Sequence, residues 1–329
     1  MTYEKPPYKL SPEIYELSME IQHILGLLKA TDLVKPSLKL RKENKIKTVH
    51  HSLAIEGNSL TVNQITDILE NKRVLGPKNQ IIEVTNALLV YDNLTKYNAL
   101  KEDNFKKVHQ ILMKGLVSKS GSYRDRNVGI LKGSKVSHIA PQPKFIATLM
   151  KNLFKFMNDK SEKSFLIKAC VFHYELEFIH PFEDGNGRIG RLWQQLLLMK
   201  HSSVFEFLAI ESLIHKNQKL YYQVLEKCDA AGDSTLFIEF SLKLILNALN
   251  DFRSTFRPGR KTGKDRIEYS FSFLAGKEFS RIDYMRLFPE LSTASASRDL
   301  AMAVRNKTFA VFGDKRSAKY NVLKVTSAK

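Results

Sequence analysis

His180-Pro181-Phe182-Glu183-Asp184-Gly185-Asn186-Gly187-Arg188-Ile189-Gly190-Arg191 joins two helical patterns, one over 161–178 and one over 187–201. An apolar run ends near Ile179, and Pro181 stops it, because the residue before a proline avoids the α region. Gly185 and Gly187 let the backbone turn N–H groups inward and approach a ligand closely. A helix begins just beyond, so its positive dipole end faces the same loop. Together these make a cradle for an anion. Arg188 and Arg191 stand three apart on one helix face, and both can reach an oxyanion. Asp184 offers a hard oxygen of the kind that nucleotide-bound Mg2+ takes. His180 supplies a base that works near neutral pH. The plainer alternative is a Gly-rich helix–helix loop with a capping Asp and solvated arginines. Five kinds of functional group in one short segment weigh against it.

The sequence around this segment is mostly helical. Ile14, Leu17, Ile21, Ile24, Leu25 and Leu28 recur at three- and four-residue steps after the helix start Ser11-Pro12. Similar patterns cover 38–56, 61–70, 79–98, 102–115, 143–158, 216–230 and 234–256, which makes the body all-α. One stretch breaks the pattern. Between Ser122 and Pro143, glycines and prolines bracket the β-prone piece Lys135-Val136-Ser137-His138-Ile139, which reads as a small hairpin. Residues 257–266 are basic, hold Pro258 and Gly259, and read as a linker. Beyond them come a helical piece (Arg281–Phe288), a turn at Pro289 and a second helix from about Ser292. The strips Phe309–Phe312 and Tyr320–Leu323 follow, joined by Gly313-Asp314-Lys315. Helix, turn, helix, hairpin is the layout of a winged helix-turn-helix. The expected organisation is an N-terminal helical region over 1–100, a core over 101–256, the linker, and a winged-helix domain over 267–329.

Composition narrows the partners. At 43% hydrophobic and 26% charged residues, wholesale disorder is excluded. The net charge of +18 favours polyanions, and it is uneven: 17 basic against 8 acidic residues fall in 251–329. Cys170 and Cys228 have neither the count nor the spacing for a disulfide framework or a zinc site. No run of eighteen apolar residues occurs, so no spanning helix and no membrane partner is expected. Met1–Leu10 is polar and lacks a signal-peptide core, so the expected compartment is the cytoplasm.

The segment His180–Arg191 resembles the signature of the Fic family, His-x-Phe-x-(Asp/Glu)-Gly-Asn-(Gly/Lys)-Arg-x-x-Arg, at every specified position. The resemblance implies a helical core with a β-hairpin flap over the site. It implies that the protein is an adenylyltransferase moving AMP from ATP to a hydroxyl of a target protein. His180 would deprotonate that hydroxyl, and Asp184 would hold Mg2+. Gly185, Asn186 and Gly187 would bind phosphates, with Arg188 and Arg191 on the β- and γ-phosphates. Phe182 would be buried and structural. The flap, with Lys135, Val136, Ser137 and His138, would hold the target backbone by strand addition. Gly121-Ser122-Tyr123-Arg124 resembles the family's lead into the flap. Lys219–Cys228 resembles a helix flanking the adenosine pocket, where Tyr221 and Tyr222 are either pocket or core residues.

Ser52-Leu53-Ala54-Ile55-Glu56-Gly57-Asn58 is the second informative segment. Ser52 and Glu56 share a helix face, and Gly57 is a natural terminator. Glu56 therefore stands at a helix C-terminus, where the dipole disfavours its charge and a cation should compensate. The segment resembles the family's inhibitory pattern, (Ser/Thr)-x-x-x-Glu-(Gly/Asn). That resemblance implies a buried, bidentate salt bridge from Glu56 to Arg191, which would take away the γ-phosphate clamp. Removal of AMP with the help of Glu56 is an alternative that uses the same residues. A DNA-binding regulator is another, with Ser295, Ser297 and Arg298 of the tail facing a groove. The base of the nucleotide and the target protein are not legible, and DNA and a homodimer stay open as partners.

Overall fold

The repeating apolar steps fold as helices, and the computed structural model describes residues 5–30, 38–132, 135–161, 164–255, 262–288, 291–313 and 318–323. The chain divides into two compact units, Met1–Thr255 and Phe256–Lys329. No helix of the described residues is long and apolar enough to cross a membrane.

The first unit opens with α1 (Pro12–Ala30), α2 (Leu38–Ile55), α3 (Val62–Leu69), α4 (Lys78–Asp92) and α5 (Glu102–Leu112). A two-stranded hairpin follows, β1 (Gly129–Lys132) and β2 (Lys135–Ile139). Then come α6 (Pro143–Asn158), α7 (Phe165–Ile179), α8 (Asn186–His201), α9 (Ile210–Lys216), α10 (Gln218–Ala231) and α11 (Thr235–Thr255). Helix α7 is the centre of the unit. It is apolar almost all round, and such a helix must be buried on every face. Helix α8 packs along it, while α6 and α11 cover other faces. Trp193 of α8, Phe105 of α5, Phe154 of α6 and Phe172 of α7 meet edge to face, at ring separations of 5.2–5.9 Å. This ring cluster fixes the α7–α8 hairpin whose turn carries the signature.

Helix α2 packs on α3, α4, α8 and α9, which brings its C-terminal end beside the start of α8. That end closes with two paired bonds: Asn58 N–H donates to Leu53 O, and Gly57 N–H to Ala54 O. Gly57 takes the left-handed conformation (φ +89°) that this closure needs. The helical pattern read over 79–98 splits into α4 and a 3-10 turn at Leu94–Lys96.

The second unit has α12 (Gly263–Leu274), β3 (Phe279–Ser280), α13 (Arg281–Arg286), α14 (Thr293–Arg305), β4 (Phe309–Phe312) and β5 (Lys319–Val322). The strands form one antiparallel sheet in the order β3-β5-β4. Ile267, Phe279, Tyr284, Leu300 and Phe309 lie in its core. Helix α12 starts inside the stretch read as linker. Thr262 and Asp265 form a capping box there, and this satisfies the first-turn N–H groups. Arg266 then reaches Asp299 of α14 with two bonds, 2.6 and 2.9 Å, so a residue read as linker joins a buried ion pair.

Candidate active site

His180 ends α7 in the left-handed conformation (φ 48°, ψ 59°), a sparsely populated region for a residue with a side chain. Two bonds hold it there: its N–H donates to Leu176 O at 2.9 Å, and its carbonyl accepts from Arg124 Nε at 2.7 Å. The buried Arg124 also donates to the carbonyls of Arg126 and Pro141, which flank the hairpin. Its own N–H donates to Pro181 O. One guanidinium thus ties both feet of the hairpin to the histidine loop.

The loop after His180 is built from its own side chains. Asn186 Oδ1 accepts from Phe182 N–H at 2.9 Å, and its Nδ2 donates to Phe182 O at 3.0 Å. The Asn186 side chain thus closes the loop on both main-chain groups of Phe182. Phe182 is fully buried and stacks on the ring of His109 at 3.5 Å. His109 Nδ1 accepts from Gly121 N–H, so its Nε2 carries the proton that it donates to Asp184 O at 2.9 Å. Burial, reinforced by the positive charge of Arg188, lowers the His109 pKa to about 4 and keeps the ring neutral. Gly185 caps α8 at φ +85°, and a Cβ there would stand 2.6 Å from Met113 Sδ. Beyond it the first-turn N–H groups of α8 have no helical partner by geometry, as an anion site requires.

Asp184 Oδ1 accepts from Gly185 N–H at 2.6 Å and from Arg188 Nη2 at 2.7 Å. Burial opposes its charge, but Arg188 outweighs that and holds the carboxyl below its usual range. The side chain is 57% exposed, so an ionised oxygen faces the opening. The described residues hold no cluster of three His, Cys, Asp or Glu that would cage a metal. A lone ionised carboxylate beside an anion cradle nonetheless fits Mg2+, which is bound by one or two carboxylates plus substrate phosphates.

Both arginines of the segment are engaged by the N-terminal helices. Arg191, 1% exposed, donates from Nη2 to Glu56 Oε1 at 2.8 Å and to Ser52 O at 2.8 Å, and from Nε to Ser52 Oγ at 3.2 Å. Burial opposes the guanidinium charge; the Glu56 carboxylate overcomes it and holds the pKa above the usual range. The pair makes one hydrogen bond rather than the two of a bidentate bridge, and Ser52 supplies the others. Gly187 explains how Glu56 comes so close. A Cβ there would lie 2.6 Å from Glu56 Oε1 and 3.0 Å from Arg191 Nη1. Arg188 donates from Nη1 to Glu83 Oε1 at 2.6 Å. Glu83 and His109 carry no local sequence signal, since each sits in an ordinary amphipathic helix pattern.

The remaining expected residues fall as follows. Tyr221 is buried, shares a hydrogen bond of 3.1 Å with His173 Nε2 and packs on Phe237. Tyr222 keeps an exposed edge. Lys135, Val136, Ser137 and His138 form β2, whose register against β1 shifts between Ile130 and Leu131; their side chains lie outside the described residues.

Residues 99–198 match the model of the Fic/DOC family. The crystal structure of a Fic family protein from Desulfovibrio desulfuricans G20 is 34% identical, with a TM-score of 0.72 over 98% of this chain and 100% of that one. Proteins named protein adenylyltransferase Fic from Culex quinquefasciatus and Drosophila melanogaster are 31% and 29% identical, over 61% of this chain in each case. The chain spans about two fifths of those curated relatives, 40% and 41% of their length.

Proposed function

The chain belongs to the Fic family, and from that premise we propose that it is a protein adenylyltransferase moving AMP from ATP to a hydroxyl side chain of a target protein, held in check by Glu56. One observation carries this reading. His180 ends α7, Asp184 and Arg188 pair at the start of α8, and the carboxylate of Glu56 lies beside Gly187 of that first turn, bonded to Arg191.

The chemistry follows from these positions. The target oxygen loses its proton to the His180 imidazole and bonds to the α-phosphorus, while the bond to the pyrophosphate oxygen breaks and pyrophosphate leaves. The first-turn N–H groups of α8 and the two arginines hold the phosphates in line for that displacement. Mg2+, held by Asp184, would neutralise phosphate charge when bound. The outer edge of the hairpin would align a target segment by strand addition, with Arg124 fixing its feet. The restraint is a competition between anions. Glu56 occupies Arg191 and the helix start, where the γ-phosphate would otherwise settle.

The second unit has the element order of a winged helix, and the exposed Arg298 of α14, with Arg281 bonded to Ser297, supports a surface for a polyanion such as DNA. The transferase reading is tested with His180→Ala. Transfer of label from α-labelled ATP should fall by ~10²–10⁴-fold, the usual worth of a general base, with ATP binding by calorimetry intact. Rates within threefold of the parent would remove His180 from the mechanism.

A further inference from the structure

Glu83 has no part in the mechanism above, yet it is the partner of one of the two phosphate arginines. It lies on α4, 105 positions before Arg188 in the chain, and is 19% exposed where Arg188 is 6% exposed. Its two oxygens are both committed. Oε1 accepts from Arg188 Nη1 at 2.6 Å, and Oε2 accepts from Asn58 Nδ2 at 2.8 Å. The orientation of the Asn58 amide is fixed independently, because its Oδ1 accepts from Leu60 N–H at 3.1 Å and its Nδ2 also donates to Gln80 O. Both neighbours of Glu83 therefore present donors. A carboxylate accepts from both, whereas an amide of the same shape would turn an NH2 toward one of them. The position calls for a carboxylate and not merely for a polar side chain of that size.

The charges around Arg188 point the same way. Its guanidinium lies between two carboxylates, Glu83 on Nη1 and Asp184 on Nη2, and its Nε is buried without an acceptor among the described residues. Asp184 can turn to a cation only if Arg188 keeps another counter-charge, since a buried guanidinium left alone is strongly unfavourable. Glu83 is that counter-charge. It holds the Nη1 edge on the α4 side, so that Nη2 comes free for an incoming phosphate once Asp184 turns to a cation. Asn58 sits two residues beyond Glu56, so the same segment that restrains Arg191 also braces Arg188.

We propose that Glu83 is a positioning residue for the nucleotide, holding Arg188 by its Nη1 edge so that the rest of the guanidinium meets the β-phosphate. The proposal rests on the transferase reading, in which Arg188 serves that phosphate. Glu83 braces and does not restrain, so its loss should weaken the nucleotide where loss of Glu56 strengthens its productive use.

The test uses the full chain carrying Glu56→Gly, with ATP, ADP and AMP titrated by calorimetry at one Mg2+ concentration. Adding Glu83→Gln should weaken ATP and ADP by ~10-fold or more, as expected when a charge-assisted contact loses its brace, and leave AMP unchanged. Glu83→Asp, which keeps the charge, should recover part of the loss; if the Gln variant does not fold, the Asp variant carries the test with a smaller shift of the same pattern. In an Arg188→Gln background, Glu83→Gln should change nothing further. ATP affinity that is unchanged or tighter in the Gln variant overturns the proposal. So does equal weakening of all three nucleotides, which is the mark of a structural role. A Glu56→Gly parent that binds none of the three overturns the transferase reading itself, and the proposal with it.

Discussion

Replacing Glu56 with glycine frees Arg191 from its carboxylate partner while leaving the loop and α8 in place. The magnitude follows from the contact. One charge-assisted hydrogen bond of 2.8 Å joins a guanidinium 1% exposed to a carboxylate 28% exposed. Such a bond is worth about 1.5–3 kcal/mol net, the amount that bound ATP would spend to displace Glu56 and bring its γ-phosphate into the productive pose. Removing the competitor should raise AMP transfer by ~10–100-fold. The two bonds from Ser52 remain, so Arg191 stays near its present place and the gain should appear in the rate more than in raw ATP affinity. Label transfer from α-labelled ATP with Mg2+ is measured for the parent, Glu56→Gly, Arg191→Ala and the double variant. The double should be no faster than Arg191→Ala alone, because the two side chains act on each other directly. Glycine at a helix end costs at most ~1 kcal/mol, so a thermal melt separates a fold defect from a catalytic one. An unchanged Glu56→Gly rate would refute the restraint, and a gain that survives loss of Arg191 would refute its route. A variant that loses removal of AMP from a premodified target without gaining transfer would favour the hydrolytic alternative.

Two further outcomes are expected. His109 is held neutral with a pKa near 4 against an ordinary 6.5, so the unfolded chain binds more protons between those values. Its contribution to stability is therefore full above pH 6.5 and lost as pH falls toward 4, about 2 kcal/mol of it by pH 5. Denaturant melts from pH 7.5 to 5 should show this slope, and His109→Gln should flatten it; an unaltered slope would remove His109 as the acid-sensitive anchor of the loop. Truncation after Thr255 should leave a folded protein that still transfers AMP, because each unit has a core of its own. An insoluble or molten fragment would show that the units depend on each other.

The sequence made legible what is local, or what a long motif ties together. The α7–α8 hairpin could be read from its apolar runs and from Pro181, Gly185 and Gly187. Each acts within a few residues of itself, through φ preference or the missing Cβ. The contact of Glu56 with Arg191 spans 135 positions, and only two matching motifs made it visible. Glu83 and His109 were not legible as site residues. Each lies in a helix whose pattern says only that one face is buried, and which group it meets depends on how α4 and α5 pack. Asn58 and Arg124 fall in segments that could be singled out, but their contacts with Glu83 and with the His180 loop depend on tertiary packing. The start of α12 was in principle readable. Thr262 and Asp265 have capping-box spacing, but the basic, Pro- and Gly-containing run before them outweighed it.

Under the proposed restraint, the setting of Glu56 would let substrate displace this single carboxylate. At the end of α2 its charge meets the negative end of that helix's dipole, a placement that would be unfavourable by some tenths of a kcal/mol up to about 1. The same carboxylate stands against the first turn of α8, where the positive dipole end and Arg191 attract it. The unfavourable end weakens its hold and the favourable end sets its position, so it is bound, but less firmly than an anion without the α2 penalty. A γ-phosphate seated as proposed would bring more charge to the same dipole and the same guanidinium and would carry no such penalty. The balance should therefore depend on Gly187. Gly187→Ala places a methyl 2.6 Å from Glu56 Oε1, closer than contact allows, so it should dislodge Glu56. Because it also crowds the phosphate cradle, it should lower ATP affinity while abolishing any further gain from Glu56→Gly. If Glu56→Gly still accelerates transfer in the Gly187→Ala protein as much as in the parent, Glu56 does not act from this position.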